Sequence, residues 1–149
     1  MTVSLRVATL LDLEQLASLF DGYRQFYGKP SDLELARRFL SDRLSQQDSL
    51  VLIAEEPGQG AVGFVQLYPS FSSVRAARIY ILNDLFVAAN ARRRGTGALL
   101  LRAAADIARA SGAVRLKLST EIKNVSAQRL YTALGWKRDE DFYEYALSL

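Results

Sequence analysis

The sequence predicts an α/β fold with one mixed sheet flanked by helices, in a single domain spanning residues 1–149. Three observations lead there. The chain has 149 residues, 50% of them hydrophobic, which is enough for one core and too little for two ordinary domains. Strand-like and helix-like apolar periods alternate, and the strand, helix, strand run over residues 79–119 calls for a parallel crossover. The turn-forming Glu56-Pro57-Gly58-Gln59-Gly60 between two apolar runs calls for an antiparallel hairpin.

Residues 5–7 read as a short strand, followed from Asp12 by an amphipathic helix in which Leu13, Leu16, Ala17 and Phe20 recur at helical spacing. That helix runs to about Phe26 and is broken by Gly28, Lys29 and Pro30. Ser31 and Glu34 have the spacing of a capping box and open a second helix, with an apolar stripe of Leu33, Ala36, Leu40 and Leu44 and a wet face of Glu34, Arg38 and Asp42. Residues 50–54 and 61–68 form the hairpin strands. Residues 79–87 are nearly all apolar, which predicts burial on both faces; Asn83 and Asp84 are the exceptions. A helix to about Ala110 follows a glycine-punctuated turn, carries Arg102, Asp106 and Arg109 as a polar face, and ends at Gly112. Residues 114–119 alternate apolar and polar as a half-buried strand does. From Asn124 a further helix carries Ala127, Leu130, Tyr131 and Leu134 on one side and stops at Gly135, before Trp136 and a last strand at 143–147.

Composition narrows the function. The net charge of +3 is mild and spread along the chain, which favours an anionic small ligand and argues against a nucleic-acid partner. With no Cys and no His, disulfides, thiolate chemistry, the commonest general base and the commonest metal ligands are absent together, so no metal site is expected. The amino end lacks signal-peptide character, and no apolar run approaches the roughly 20 residues that span a bilayer. The expectation is a cytoplasmic protein without a membrane partner.

The most informative segment is the turn at Arg92-Arg93-Arg94-Gly95-Thr96-Gly97-Ala98, between a strand and a helix. The arginines bring fixed positive charge, the glycines let the backbone approach a ligand, and the free N–H groups at the helix start favour a bound phosphate. It is neither a P-loop, since no Lys-Ser or Lys-Thr follows, nor a dinucleotide fingerprint, since Leu100 stands at the third glycine position. On these residues alone a solvated Arg cluster beside an ordinary turn explains the segment as well.

A second signal decides the reading: Asn124-x-x-Ala127-x-x-Leu130-Tyr131-x-x-x-Gly135-Trp136. Together with Arg92-x-x-Gly95-x-Gly97 it resembles the GCN5-related N-acetyltransferase (GNAT) family, over essentially the whole chain, with element order β-α-α-β-β-β-α-β-α-β-β. The resemblance implies acetyl-CoA as cofactor. Its pantetheine arm would pair with the backbone of Leu85, Phe86 and Val87, its pyrophosphate would sit at Arg92, Arg93, Arg94, Gly95, Thr96, Gly97 and Ala98, and Asn124 and Ala127 would contact its other flank. Tyr131 matches the tyrosine that protonates the departing thiolate.

An alkyl ammonium with pKa near 10 is about one part in a thousand neutral at pH 7, a cost of roughly 4 kcal/mol unless a base removes the proton. Asp84, in an otherwise apolar strand, is the leading base because burial raises a carboxyl pKa toward working range; Glu121 is the reserve, and a water chain the other route. Many polyamine- and peptide-acetylating members of the resembled family carry Glu where this chain has Asn83, and neighbouring strand residues share a side only at a bulge. Tyr23, Tyr27, Tyr80 and Asn83 are the candidate acceptor contacts, with Phe26 and Tyr68 near them. The resulting expectation is acetylation of a primary amine (a small amine, polyamine, amino acid or protein lysine) by direct attack in a ternary complex, since no Cys is present to carry an acyl group. The alternative is a non-catalytic acyl-CoA-binding sensor module. The resemblance also implies a homodimer, with Phe142, Tyr143 and Tyr145 as apolar surface.

Overall fold

A computed structural model describes residues 2–149, in two compact units, one ending at Ser119 and the other comprising Thr120–Leu149. The first unit is built on a five-stranded sheet in the order β1-β2-β3-β4-β5, with β1 Ser4–Val7, β2 Leu50–Glu56, β3 Gly60–Ser72, β4 Ala77–Val87 and β5 Leu116–Lys117. The first four strands pair antiparallel and β4 pairs parallel with β5, so the sheet is mixed as the hairpin and crossover signals require.

Helices α1 (Leu13–Phe26) and α2 (Leu33–Gln46) cover one face. Their buried Leu16, Ala17, Leu19, Phe20, Ala36 and Leu40 meet Val51, Ile53 and Phe64 of the sheet. Each large side chain buried there stabilises the fold by roughly 1.5–3 kcal/mol. Helix α3 (Thr96–Ala110) lies on the opposite face: Gly63, which alternates with Phe64, would direct a Cβ to within 3.4 Å of Leu100 of α3.

The amino end of α2 differs from the expectation. Asp32, not Ser31, caps it by accepting from the Leu35 amide at 3.1 Å, while the Ser31 hydroxyl donates to Asp21 at 2.6 Å and Glu34 pairs with Arg37. The capping box forms one element earlier, where Thr9 and Asp12 hold a 3-10 turn that leads into α1.

Strand β4 is not buried on both faces: Asn83 is exposed, and Tyr80, Ile81, Leu85, Phe86 and Val87 are half-buried. The cause is its neighbour, because β5 pairs only through Tyr80 and Ile81 and then leaves, so the carboxyl-terminal half of β4 has an uncovered edge.

In the second unit, helix α4 (Val125–Ala133) starts at Asn124, whose side chain accepts from the Ala127 amide, and ends at Gly135 with a φ of 93°. Ala127, Leu130, Tyr131 and Leu134 form its half-buried side. The expected last strand at 143–147 does not form: Tyr143, Tyr145 and Leu147 are each more than 80% exposed and among the described residues no strand pairs with them, so the closing strand pair of the predicted order is missing there. An extended segment without a ladder partner gains neither backbone bonds nor burial.

Candidate active site

Between Gln66 and Leu67 the β3–β4 register shifts: Gln66 pairs with Asp84 and Leu67 with Leu82, leaving Asn83 with no partner of its own. This is a β-bulge, which turns two successive side chains the same way. Accordingly Asn83 Nδ2 donates to Asp84 Oδ1 at 2.8 Å. Asp84 points to the α1 side, as Phe64 and Gln66 do, and only 2% of it is exposed. Gln66 Nε2 donates to Asp84 Oδ2 at 2.5 Å, and Tyr23 of α1 donates its hydroxyl to the Asn83 carbonyl at 3.2 Å.

Two influences act on this carboxyl. Burial raises its pKa above the usual carboxylate range, and the hydrogen bonds from Asn83, Gln66 and Tyr23 pull it back, with burial the larger. Their own burial, and then its charge, keep the neighbouring phenols protonated: Tyr23 is pushed far up, and Tyr68 is pushed up to about 12. The Tyr27 ring meets Tyr23 edge-on at 5.1 Å and is partly exposed, giving the cluster an aromatic mouth. The structure thus brings together Tyr23, Tyr27, Asn83 and Asp84. Tyr80 is not among them: it pairs with Pro69, one residue beyond Tyr68, and so its side chain lies on the opposite face, lining an open cavity of about 730 Å³ that Ser49 also borders. The reserve carboxylate Glu121 is exposed and 3.8 Å from the Lys123 ammonium.

Next along β4, the Phe86 ring packs toward α1, where a Cβ on Gly22 would meet it at 3.2 Å. The Phe86 carbonyl faces Gly63 of β3, so strand alternation turns the polar backbone groups of Leu85 and Val87 to the uncovered edge. The chain then makes a 3-10 turn at Ala89–Ala91 and enters α3 through two left-handed residues, Arg93 (φ 65°) and Gly95 (φ 80°). A non-glycine residue held there costs on the order of 1 kcal/mol, and such strain concentrates at binding sites. The α3 start has no side-chain cap, and the buried Thr96 Oγ1 has no hydrogen-bond partner among the described residues. Two left-handed residues, an uncapped helix start and an orphaned buried hydroxyl fit a diphosphate.

The three arginines have different tasks. Arg94 donates to both oxygens of the buried Glu56 at 3.1 and 3.3 Å, tying the turn to the end of β2. Arg92 donates Nε to the Val87 carbonyl at 2.8 Å and lays its guanidinium over Phe86 and Phe26. Of the three, only Arg93 has no side-chain hydrogen bond or ion pair among the described residues, so the expected three-charge cluster presents one uncommitted cation. Sequence reasoning missed Glu56 and Gln66. Gln66 had a signal, as a lone amide in an apolar strand; Glu56 read only as part of a turn.

On the second unit, Tyr131 is half-buried, its ring is 6.0 Å from Trp136, and its carbonyl accepts from the Trp136 amide. Asn124 Oδ1 is engaged as the helix cap at 3.3 Å from the Ala127 amide.

An uncapped helix start after an open-edged strand, with a buried carboxyl on that strand, is an arrangement an acyl-CoA-dependent transferase is able to use. The profile of the Acetyltransferase (GNAT) family matches residues 14–136. An uncharacterized N-acetyltransferase, YhfO of Bacillus subtilis (strain 168), is 48% identical over 147 residues, covering 99% of this chain and 98% of that protein. The crystal structure of a probable acetyltransferase superposes with a TM-score of 0.91 at 41% identity, over 100% of this chain and 98% of the other. At 21% identity and a TM-score of 0.79, the aminoglycoside N-acetyltransferase AAC(6')-Iy, solved in complex with CoA, shares the fold over 99% of this chain and 96% of its own. The chain belongs to the GNAT family and is an N-acetyltransferase with acetyl-CoA as its donor.

Proposed function

We propose that this chain, acting as a single N-acetyltransferase domain, moves the acetyl group to a primary amine by direct attack, with Asp84 as general base and Tyr131 as general acid. The observation that carries the reading is Asp84 itself: a buried carboxyl with raised pKa, bonded by Asn83, Gln66 and Tyr23, on the strand whose next residues face an open edge. Bound acetyl-CoA supplies a thioester-activated acetyl group. Leu85 and Val87 offer backbone groups to its pantetheine arm, and the amides from Arg93 to Ala98 with the Arg93 charge hold its diphosphate. Arg92 and Arg94 shape that turn from behind.

On the acceptor side, Asp84 attracts the incoming ammonium and takes its proton, with the aromatic rings favouring a cation before transfer. Asn83 holds the carboxylate and cannot itself act as base. Tyr131 is assigned by its motif position; Asn124 and Ala127 open the helix that carries it. The aminoglycoside N-acetyltransferase of shared fold is named for acting on an amine, which supports an amine acceptor here.

Among the described residues no helix is long and apolar enough to cross a membrane, and we place the protein in the cytoplasm with no nucleic-acid or membrane partner. The exposed Phe142, Tyr143 and Tyr145 suit burial against a second copy in a homodimer. The test is release of free thiol from acetyl-CoA with a panel of small amines, polyamines, amino acids and a lysine peptide; the protein has no Cys to add background. Turnover with an amine is the expected result. CoA binding without turnover on any of them would leave the sensor module as the better account.

A further inference from the structure

A general base must be satisfied twice, as an anion before it takes a proton and as an acid afterwards. For a residue in water this is automatic; for Asp84, 2% exposed, the protein must supply both sets of partners. The side chains around it differ in whether they are able to do so. Asn83 donates to Oδ1 at 2.8 Å, and Tyr23 is a phenol held protonated against the carboxyl. On Oδ2 the partner is Gln66 Nε2, 0% exposed, and behind it the Ser49 hydroxyl donates to Gln66 Oε1 at 2.9 Å. An amide and a hydroxyl are neutral side-chain groups that both donate and accept.

We propose that Gln66 and Ser49 are positioning residues forming a reversible hydrogen-bond chain: when Asp84 takes up a proton the Gln66 amide turns over, and when Asp84 releases it the amide turns back. With Asp84 ionised, the amide NH2 faces Oδ2 and Ser49 donates to the amide carbonyl, which is the arrangement observed. With Oδ2 protonated, that O–H donates to the amide carbonyl, while the NH2 donates to Ser49 Oγ and the hydroxyl proton swings outward. Both arrangements leave every buried polar atom in the chain paired. No proton travels along it: the proton taken from the acceptor ammonium stays on Oδ2 until solvent removes it. Ser49 lines the open cavity of about 730 Å³, so its hydroxyl has room to rotate when it changes from donor to acceptor.

The bulge is what makes this geometry possible, because the register shift sets Gln66 opposite Asp84. The other titratable groups facing the carboxyl are Tyr23 of α1 and Tyr68 of β3, both pushed upward and therefore neutral through the working range. Arg43 and Asp48, which act on Tyr68 from the end of α2, are paired with each other at 3.0 Å.

The proposal rests on Asp84 as the base, and its test separates the two. On the full chain, the Asp84 carboxyl carbon and the Gln66 side-chain amide are followed by NMR against pH, assigned through Asp84→Asn and Gln66→Met. The expected result is one common midpoint for both signals, and in Gln66→Met, which keeps the length but donates nothing, a rise of the Asp84 midpoint by about one pH unit. A Gln66 amide unmoved while Asp84 titrates overturns the chain, and that measurement needs no variant to fold; so does an unchanged Asp84 midpoint in a folded Gln66→Met. Coupled titration together with full turnover in Asp84→Asn supports the chain and removes Asp84 as base.

Discussion

Asp84 shows how the fold changes the titration of a single carboxyl. Burial disfavours its charge and three donors restore part of it, so it titrates above an ordinary aspartate. Replacing it by Asn keeps shape and removes proton acceptance, so Asp84→Asn lowers kcat by roughly 10²–10⁴-fold while the Kd of acetyl-CoA moves little. Thiol-release kinetics beside calorimetric binding measure both, and a kcat near that of the parent would contradict the assignment. The same shift has a consequence for stability. Between the ordinary carboxylate range and its raised native value, the folded chain holds a proton that the unfolded chain has lost. Stability from this group is therefore full at low pH and declines as pH rises through that window. Relative to the parent, Asp84→Asn gains thermal stability from about pH 4 upward, read by calorimetric scans; a difference that shrinks with rising pH would contradict the raised value.

At the scale of elements, the bulge and the cradle are both held from behind. Gly63 sits where a Cβ would come within 2.9 Å of the Phe86 carbonyl, so Gly63→Ala forces β3 and β4 apart and destabilises by about 1–3 kcal/mol, measured by denaturant unfolding. An unchanged midpoint would place that contact differently. Arg94 is bonded to a carboxylate inside the protein, and Arg94→Ala strands that charge. A loss of about 2 kcal/mol or more is expected from the orphaned Glu56, against almost nothing for Arg93→Ala, which weakens CoA binding instead. Equal effects of the two substitutions would show that the turn is not anchored as described. In the sequence the three arginines are indistinguishable; their division of labour comes from Glu56, 38 positions earlier, and from a carbonyl of the preceding strand.

At the scale of the molecule, the elements most legible in the sequence were those with local causes. The α1 and α2 stripes, the hairpin and the starts of α3 and α4 follow from periodicity and turn chemistry. What stayed hidden depends on partners distant in the chain. The Asn83 bulge is a matter of register between β3 and β4, the early departure of β5 uncovers β4, and residues 143–147 alternate like a strand yet pair with no strand among the described residues. Candidate site residues followed the same division: Asp84 stood out as a charge in an apolar run, whereas the removal of Tyr80 to the other face is a matter of pairing. If Tyr143 and Tyr145 are covered by a second copy, the protein sediments as a dimer and the double substitution Tyr143→Asp, Tyr145→Asp shifts it to monomer; a monomeric parent would contradict this.

The cradle at residues 93–98 is the central claim, and calorimetry with coenzyme A and with pantetheine, which lacks the nucleotide diphosphate, tests it most directly. Coenzyme A is expected to bind at least roughly 100-fold more tightly, with Gly97→Val erasing most of that advantage. Equal affinities for the two ligands, or an advantage untouched by Gly97→Val, would contradict it.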